Sequence, residues 1–194
     1  MRLFLAIDLD EVIRKKLARF VEGVAGFAPD VRWMKPEALH LTLKFIGEFP
    51  ETKLNDLKSA LGGVKSAPFD ISFSGTGFFP SAKSARVFWV GVQGDERLQK
   101  LASSVDGAVE KFGVEREARA YTPHLTLARA GSGRPSRGKD DKVNNRFQKL
   151  RERLEKMPQP EFGTMTAREF YLYQSKLSPR GSEYTKLERF AFSE

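Results

Sequence analysis

The tetrapeptide His40-Leu41-Thr42-Leu43 returns as His124-Leu125-Thr126-Leu127, and its two copies hold the only histidines of the chain. With Leu at about a tenth of residues and Thr rarer, the three residues after a second histidine match by chance on the order of one time in a thousand. A second anchor keeps the same register: Arg2-Leu3-Phe4 recurs as Arg86-Val87-Phe88, and the step from 2 to 86 equals the step from 40 to 124. Two anchors in one register make the likeness an internal duplication, with halves of about 1–84 and 85–194.

The hydrophobic period along each half gives strand, helix, the His-Leu-Thr-Leu strand, a second helix and further strands. In the first half the apolar run at 3–9 reads as a strand, and 10–24 as a helix burying Ile13, Leu17, Phe20, Val21 and Val24. A Gly- and Pro-containing segment leads to the motif strand at 39–46, then to a helix marked by Leu54, Leu57 and Leu61 and to strands at 69–79 and 86–92. In the second half Leu98, Leu101, Val105, Ala108 and Phe112 mark a helix before the motif strand at 123–129. Val143, Phe147, Leu150 and Leu154 mark a fourth helix, and 166–174 and 184–192 read as closing strands. The insertion at 131–141, GSGRPSRGKDD, reads as a basic loop, either a solvated tether or a flap that gathers phosphates.

At 194 residues the chain suits one compact unit. Lys and Arg total 33 against 25 Asp and Glu, a formal charge of +8 that suits an anionic partner: RNA, a nucleotide or an acidic membrane surface. The absence of cysteine excludes disulfide scaffolds, Cys-based zinc sites and thiol catalysis. The apolar run at 3–7 is too short for a signal-peptide core, and nothing approaches the ~18 uncharged apolar residues of a membrane span. A soluble cytoplasmic protein is expected. With no third histidine and no His-Glu-x-x-His spacing, no metal site is expected.

On a strand, alternate side chains share a face, so the His and Thr of each motif project together about 6.5–7 Å apart while the leucines enter the core. A histidine with a pKa near 6.5 takes or gives a proton at neutral pH, and a threonine hydroxyl bonds a phosphate oxygen. Two such units facing each other would supply one base, one acid and two phosphate-holding hydroxyls, the set that phosphodiester chemistry at a ribose needs. The plainer alternative is a pair of half-buried strand histidines with satisfied hydrogen bonds.

The paired motifs, together with the segments RLFLAID at 2–8, VRWMKPEALHLTLKFIGE at 31–48 and PHLTLAR at 123–129, resemble the two-histidine (2H) phosphoesterase superfamily. Within it the chain is most similar to the RNA 2′,3′-cyclic phosphodiesterases, also called 2′-5′ RNA ligases. The resemblance implies a bilobal α+β fold with two antiparallel sheets flanked by helices, related by a pseudo-two-fold axis, and a central groove. It also implies a substrate, RNA ending in a 2′,3′-cyclic phosphate, tRNA fragments included, whose ring water opens to leave a 2′-phosphate. By the same resemblance His40 is the proton donor to the leaving 3′-oxygen, His124 the proton acceptor that activates water, and Thr42 and Thr126 the phosphate-binding residues. ATP-independent 2′-5′ joining of RNA would use the same groups, with a 5′-hydroxyl in place of water. No cofactor is expected, nor a membrane partner, and the protein is expected to be a monomer.

Basic and aromatic residues interleave near both motifs: Arg32, Trp33, Lys35 and Lys44 at the first, Arg119, Tyr121 and Arg129 at the second. Of these, Trp33, Arg119, Tyr121 and Arg129 are taken as substrate-binding residues. Trp33 reads equally as a core anchor or a stacking platform, and Lys44 as a solvated face residue. Arg129, five residues beyond His124, falls on the opposite face under strict alternation and reaches the groove only if the strand ends or twists there. Arg119 and Tyr121 lie in the extended approach to Pro123. Two competing functions use the same motifs: a phosphodiesterase for a small cyclic nucleotide such as an ADP-ribose cyclic phosphate, and an RNA- or nucleotide-binding module without turnover. A turnover assay separates the module from either enzyme.

Overall fold

The computed structural model describes residues 1–131, 145–178 and 181–193. The strands are β1 (Arg2–Asp8), β2 (Val31–Trp33), β3 (His40–Glu48), β4 (Phe69–Phe79), β5 (Val87–Gly94), β6 (His124–Ala130), β7 (Glu161–Ala167), β8 (Glu169–Ser178) and β9 (Gly181–Ala191). The helices are α1 (Glu11–Val24), α2 (Leu54–Gly62), α3 (Glu96–Glu110) and α4 (Gln148–Glu155).

The two longest helices start alike. Asp10 caps α1 by accepting from the Ile13 amide at 2.8 Å, and Asp95 caps α3 by accepting from the Arg97 amide at 2.9 Å. Each then buries one stripe: Ile13, Leu17 and Val24 on α1, and Leu98, Leu101, Ala102, Val105 and Val109 on α3. Burying one such aliphatic side chain stabilises the fold by roughly 1.5–3 kcal/mol before entropy is counted.

Two antiparallel sheets carry the strands, in the orders β3-β1-β8-β9 and β2-β6-β5-β4-β7. The first sheet thus joins β1 and β3 to the last two strands of the chain, and the second takes β2 and β4 from the first half of the sequence. The orders β3-β1-β8-β9 and β6-β5-β4-β7 correspond, motif strand first in each. One continuous core, from Leu3, Leu5 and Leu41 of the first sheet to Phe88, Val90 and Leu125 of the second, fills the space behind both.

The structure differs from the hydrophobic-period reading in three places. The expected strand at 166–174 is two strands: β7 pairs with β4 in the second sheet, β8 pairs with β1 in the first, and the chain changes sheet at Arg168. The buried positions run Met165 and Ala167 in β7, then Phe170 and Leu172 in β8, so the alternation slips by a single residue at the crossing, too small an irregularity to read as a break between strands. The short strand β2 lies in the segment read as Gly- and Pro-containing connection; three residues carry too little pattern to register. The fourth helix begins at Gln148 after a 3-10 turn at Asn145–Phe147; Val143 and positions 132–141 of the insertion, flap reading included, lie outside the described residues.

Candidate active site

The groove between the sheets is a cavity of about 400 Å³ lined from the first sheet by Arg2, Phe4, His40, Thr42, Phe45 and Tyr184 among others. From the second it takes Thr126 and Arg129 of β6, with Arg32 and Met34 in and after β2. His124 stands two residues before Thr126 and shares its face of β6.

Both histidines are oriented by one device. The Nδ1–H of His40 donates to the Ala38 carbonyl at 2.7 Å, and that of His124 to the Thr122 carbonyl at 2.9 Å, each two residues upstream. A carbonyl can only accept, so the proton of the neutral ring sits on Nδ1 and Nε2 is left to exchange protons with a ligand.

A matched pair of β-bulges sets where the residues after each threonine point. In the β1–β3 ladder Ala6 opposes Thr42 and Leu5 opposes Lys44, so Leu43 is the extra residue. In the β5–β6 ladder Trp89 opposes Thr126 and Phe88 opposes Ala128, so Leu127 is extra. Each bulge keeps two successive residues on the core side and returns the third to the groove. Arg129 therefore joins His124 and Thr126 on one face, and Phe45 joins His40 and Thr42. Of the two placements open to Arg129, the structure shows the groove; the cause is the bulge just before it.

The matching bulge in β3, at Leu43, reverses the reading of Lys44, which is not solvated but 3% exposed. Its ammonium donates to the Glu115 carbonyl at 2.7 Å and pairs with Asp106 at 2.7 Å and Glu117 at 3.4 Å. At the corresponding position of β6 stands Ala128, also buried.

The surroundings of the two histidines differ. The His40 ring lies 4.7 Å from Phe4, 5.2 Å from Tyr184, edge-on, and 6.1 Å from Tyr173. That burial lowers its pKa to about 4; the hydrogen bond to Ala38 and the Asp8 carboxylate oppose the shift, while Arg129 and Arg14 add to it. Among the described residues His124 has one ring neighbour, Phe79, edge-on at 5.0 Å. Phe79 in turn lies 5.1 Å from Trp89. That indole leaves no room at Gly77, where a Cβ would stand 2.1 Å from it.

Arg129 and Arg32 stand directly opposite in the β2–β6 ladder. Burial and the Arg32 charge lower the Arg129 pKa, against the Tyr184 hydroxyl, which raises it. Like charges in register are unfavourable unless an anion joins them. No ion pair engages Arg2, Arg32 or Arg129 among the described residues.

The remaining expected contacts lie elsewhere. The Trp33 indole N–H donates to the Ala28 carbonyl at 3.0 Å and its ring packs edge-on against Phe88, as a core anchor would. Arg119 lines a separate cavity of about 540 Å³ beside Asp106 and Arg116. Tyr121 lines that cavity too, and its hydroxyl donates to the Thr42 carbonyl at 2.8 Å, tying the approach to β6 onto the other motif strand. Tyr173 and Tyr184, the residues around His40 that no sequence pattern singles out, come from β8 and β9, and only the sheet order brings them beside Phe4 of β1. Among the described residues no cluster of His, Asp or Glu is arranged to hold a metal. No described helix is long and apolar enough to cross a membrane.

Two antiparallel sheets that each carry a His-x-Thr strand to a common groove are the architecture of the two-histidine phosphoesterases. Residues 7–89 and 90–184 each match the LigT-like phosphoesterase family, and the chain belongs to it. It is 36% identical over 190 residues to the RNA 2′,3′-cyclic phosphodiesterase of Archaeoglobus fulgidus, covering 98% of this chain and 99% of the relative. It is 37% identical to the enzyme of the same name from Methanothermobacter thermautotrophicus, covering 98% of both. Among solved structures, TT0787 of Thermus thermophilus superposes with a TM-score of 0.77 at 31% identity, covering 99% of this chain and 98% of that one. LigT of E. coli complexed with 3′-AMP does so with a TM-score of 0.77 at 28% identity, covering 100% and 98%.

Proposed function

We propose that the protein opens the 2′,3′-cyclic phosphate at the end of an RNA chain to leave a 2′-phosphomonoester, by acid–base catalysis between His40 and His124. The observation that carries this reading is the matched pair of strands, each presenting an imidazole whose Nδ1 is committed to a backbone carbonyl beside a threonine hydroxyl. The relatives named above are called RNA 2′,3′-cyclic phosphodiesterases, and LigT holds a nucleoside monophosphate.

In this mechanism Nε2 of His124 takes a proton from water as the water oxygen attacks phosphorus. Nε2–H of His40 gives a proton to the 3′-oxygen as its bond to phosphorus breaks. The Thr42 and Thr126 hydroxyls and the Arg129 guanidinium hold the nonbridging oxygens, whose charge grows in the transition state. The unligated His40 is neutral at pH 7, because burial lowers its pKa. The anionic phosphate restores the proton: an opposite charge a few ångströms away favours the charged imidazole. His40 thus becomes an acid with its substrate in place. With a 5′-hydroxyl in place of water as the attacking group, the same two transfers join RNA ends through a 2′-5′ bond.

The test is incubation with a short RNA bearing a 2′,3′-cyclic phosphate, without nucleotide or added metal. The expected product is a 2′-phosphate end; a 3′-phosphate end, or binding with release of the intact ring, overturns the reading.

A further inference from the structure

The groove is longer than one cyclic phosphate requires. Cross-strand partners on the first sheet run in order from the His40 end: Asp8 opposite His40, Ala6 opposite Thr42, Phe4 opposite Phe45, and Arg2 opposite Glu48. On the other side of β1, Phe4 opposes Tyr173 and Arg2 opposes Ser175; further out, Ser175 opposes Tyr184 and Leu177 opposes Ser182. From Ala6 to Arg2 the strand rises about 13 Å. That exceeds one stacked nucleotide step of about 3.4 Å.

The character of the surface changes along this length. Near His40 it is a closed aromatic cluster, with Phe4 stacked on Tyr173 at 5.0 Å and Tyr184 edge-on at 5.1 Å. Beyond it, Phe45 is 56% and Leu177 69% exposed, two of the four large apolar side chains left open to solvent among the described residues. Both line this one groove. Between and beyond them stand Ser175, Ser182 and Arg2. The acid opposite Arg2, Glu48, turns its carboxylate to the N-terminal ammonium at 3.7 Å, and among the described residues no ion pair engages the Arg2 guanidinium. An exposed aromatic ring and an exposed leucine beside such an arginine suit one base that stacks, one that packs on an apolar side chain, and a phosphate that pairs.

We propose that the stretch from Phe45 past Leu177 to Arg2 is a subsite for the nucleotide upstream of the cyclic phosphate, so that the groove binds the last two nucleotides of a single-stranded RNA end. The inference rests on the function proposed above and adds to it the size of the substrate. Arg2 pairs with the internucleotide phosphate, Phe45 and Leu177 take the bases, and the two serine hydroxyls address sugar or phosphate oxygens. Charge complementarity chooses the occupant, since the charged side chains that line the groove, Arg2, Arg32 and Arg129 beside His40, are all cationic or able to become so.

The test compares adenosine 2′,3′-cyclic phosphate with the dinucleotide ApA 2′,3′-cyclic phosphate. The dinucleotide is expected to have a kcat/KM about tenfold higher, the size of one base stack and one phosphate contact. Arg2→Ala and Leu177→Ser should each remove about three- to tenfold of this advantage and leave the mononucleotide within twofold. Both positions are exposed, so the fold should survive; Arg2→Ala should also flatten the salt dependence of dinucleotide binding by about 0.7 in log–log slope. Equal kcat/KM for the two substrates, or a loss on both alike in Arg2→Ala, overturns the subsite. Should neither substrate turn over, the proposed function fails, and binding of the 2′-phosphorylated ends still decides: tighter binding of the ApA product than of adenosine 2′-phosphate, lost in Arg2→Ala, supports the subsite, and equal binding overturns it.

Discussion

Strands β3 and β6 share a motif, a bulge and a hydrogen bond that holds each imidazole, yet nearly every residue around those parts has changed. Opposite His40 stands Asp8; opposite His124 stands Gly91. After the bulge β3 presents Lys44 to the core and Phe45 to the groove, where β6 presents Ala128 and Arg129. The outer edge of β6 is covered by β2 through a backbone ladder, whereas β3 is held by the Tyr121 hydroxyl and the Lys44 ion cluster. What stayed equal is what hands protons and hydroxyls to a phosphorus from two sides; what diverged makes one side hydrophobic and the other cationic. A duplicated strand can give its histidine a different environment through its neighbours without altering its own motif, and at His40 that environment is an enclosing aromatic one.

The most severe way to break this equivalence is to remove one imidazole. His40→Ala and His124→Ala should each lower turnover on a cyclic-phosphate RNA end about a hundredfold to ten-thousandfold, the range for losing a general acid or base. Circular dichroism should show the fold unchanged. The double variant should be little worse than either single one, because the two groups act in one concerted transfer. Turnover close to wild type in either single variant removes that histidine from the mechanism.

The next test exploits position 44 against position 128. Lys44→Ala leaves Asp106, its side chain 14% exposed, beside Glu117 without its main cation, and should cost about 3 kcal/mol in urea unfolding. Combining Lys44→Met with Asp106→Leu removes both charges and should recover most of that loss. A single variant within about 0.5 kcal/mol of wild type, the scale of an inconsequential surface change, would show that the cluster is not what holds the 115–117 segment against β3.

A smaller effect tests the enclosure of His40 through pH. His40 has a folded pKa of about 4 against about 6.5 when unfolded, so between those values the unfolded chain binds the extra proton and stability falls as pH falls. From pH 7 to pH 5 the loss from this residue is about 2 kcal/mol. Wild type should therefore lose about that much more than His40→Gln over the same range, and inorganic phosphate, by occupying the groove, should shrink the difference. Parallel pH curves for the two proteins would show that the ring is not desolvated.

Much of this asymmetry is hidden in the sequence, although the site's centre is legible. Both histidines and both threonines stand out because repetition of a rare pattern needs no structure to be seen, and the long helices stand out because Ile13-Leu17-Val24 and Leu98-Leu101-Val105 keep a 3.6 period. The bulges are invisible, since Leu43-Lys44 and Leu127-Ala128 resemble ordinary alternation until the partner strand fixes the register. Alternation alone misplaces Lys44 and leaves Arg129 undecided for that one reason. The Phe4, Tyr173 and Tyr184 wall cannot be read at all: its members come from opposite ends of the chain and meet only because β8 and β9 cross into the first sheet.

The finest test of the comparison concerns Tyr121, the one side chain whose hydroxyl bonds the backbone of the opposite motif strand among the described residues. Its hydroxyl is buried, which raises its pKa, so it stays protonated and donates to the Thr42 carbonyl through the whole working range of pH. Tyr121→Phe keeps the ring and deletes the donor, leaving one carbonyl unpaired, so it should cost about 1 kcal/mol in stability. Because that carbonyl belongs to the residue that presents a phosphate-binding hydroxyl, turnover should fall by about two- to fivefold while the pH profile keeps its shape, as positioning but not proton transfer has been disturbed. The matched control is Thr122→Ala, which alters the neighbouring side chain but keeps the Thr122 carbonyl that holds His124. It should leave turnover within twofold. If Tyr121→Phe shifts the pH profile instead, the tyrosine is coupled to an imidazole and not only to the strand, and the division between a proton-transferring pair and the frame that spaces it would have to be redrawn.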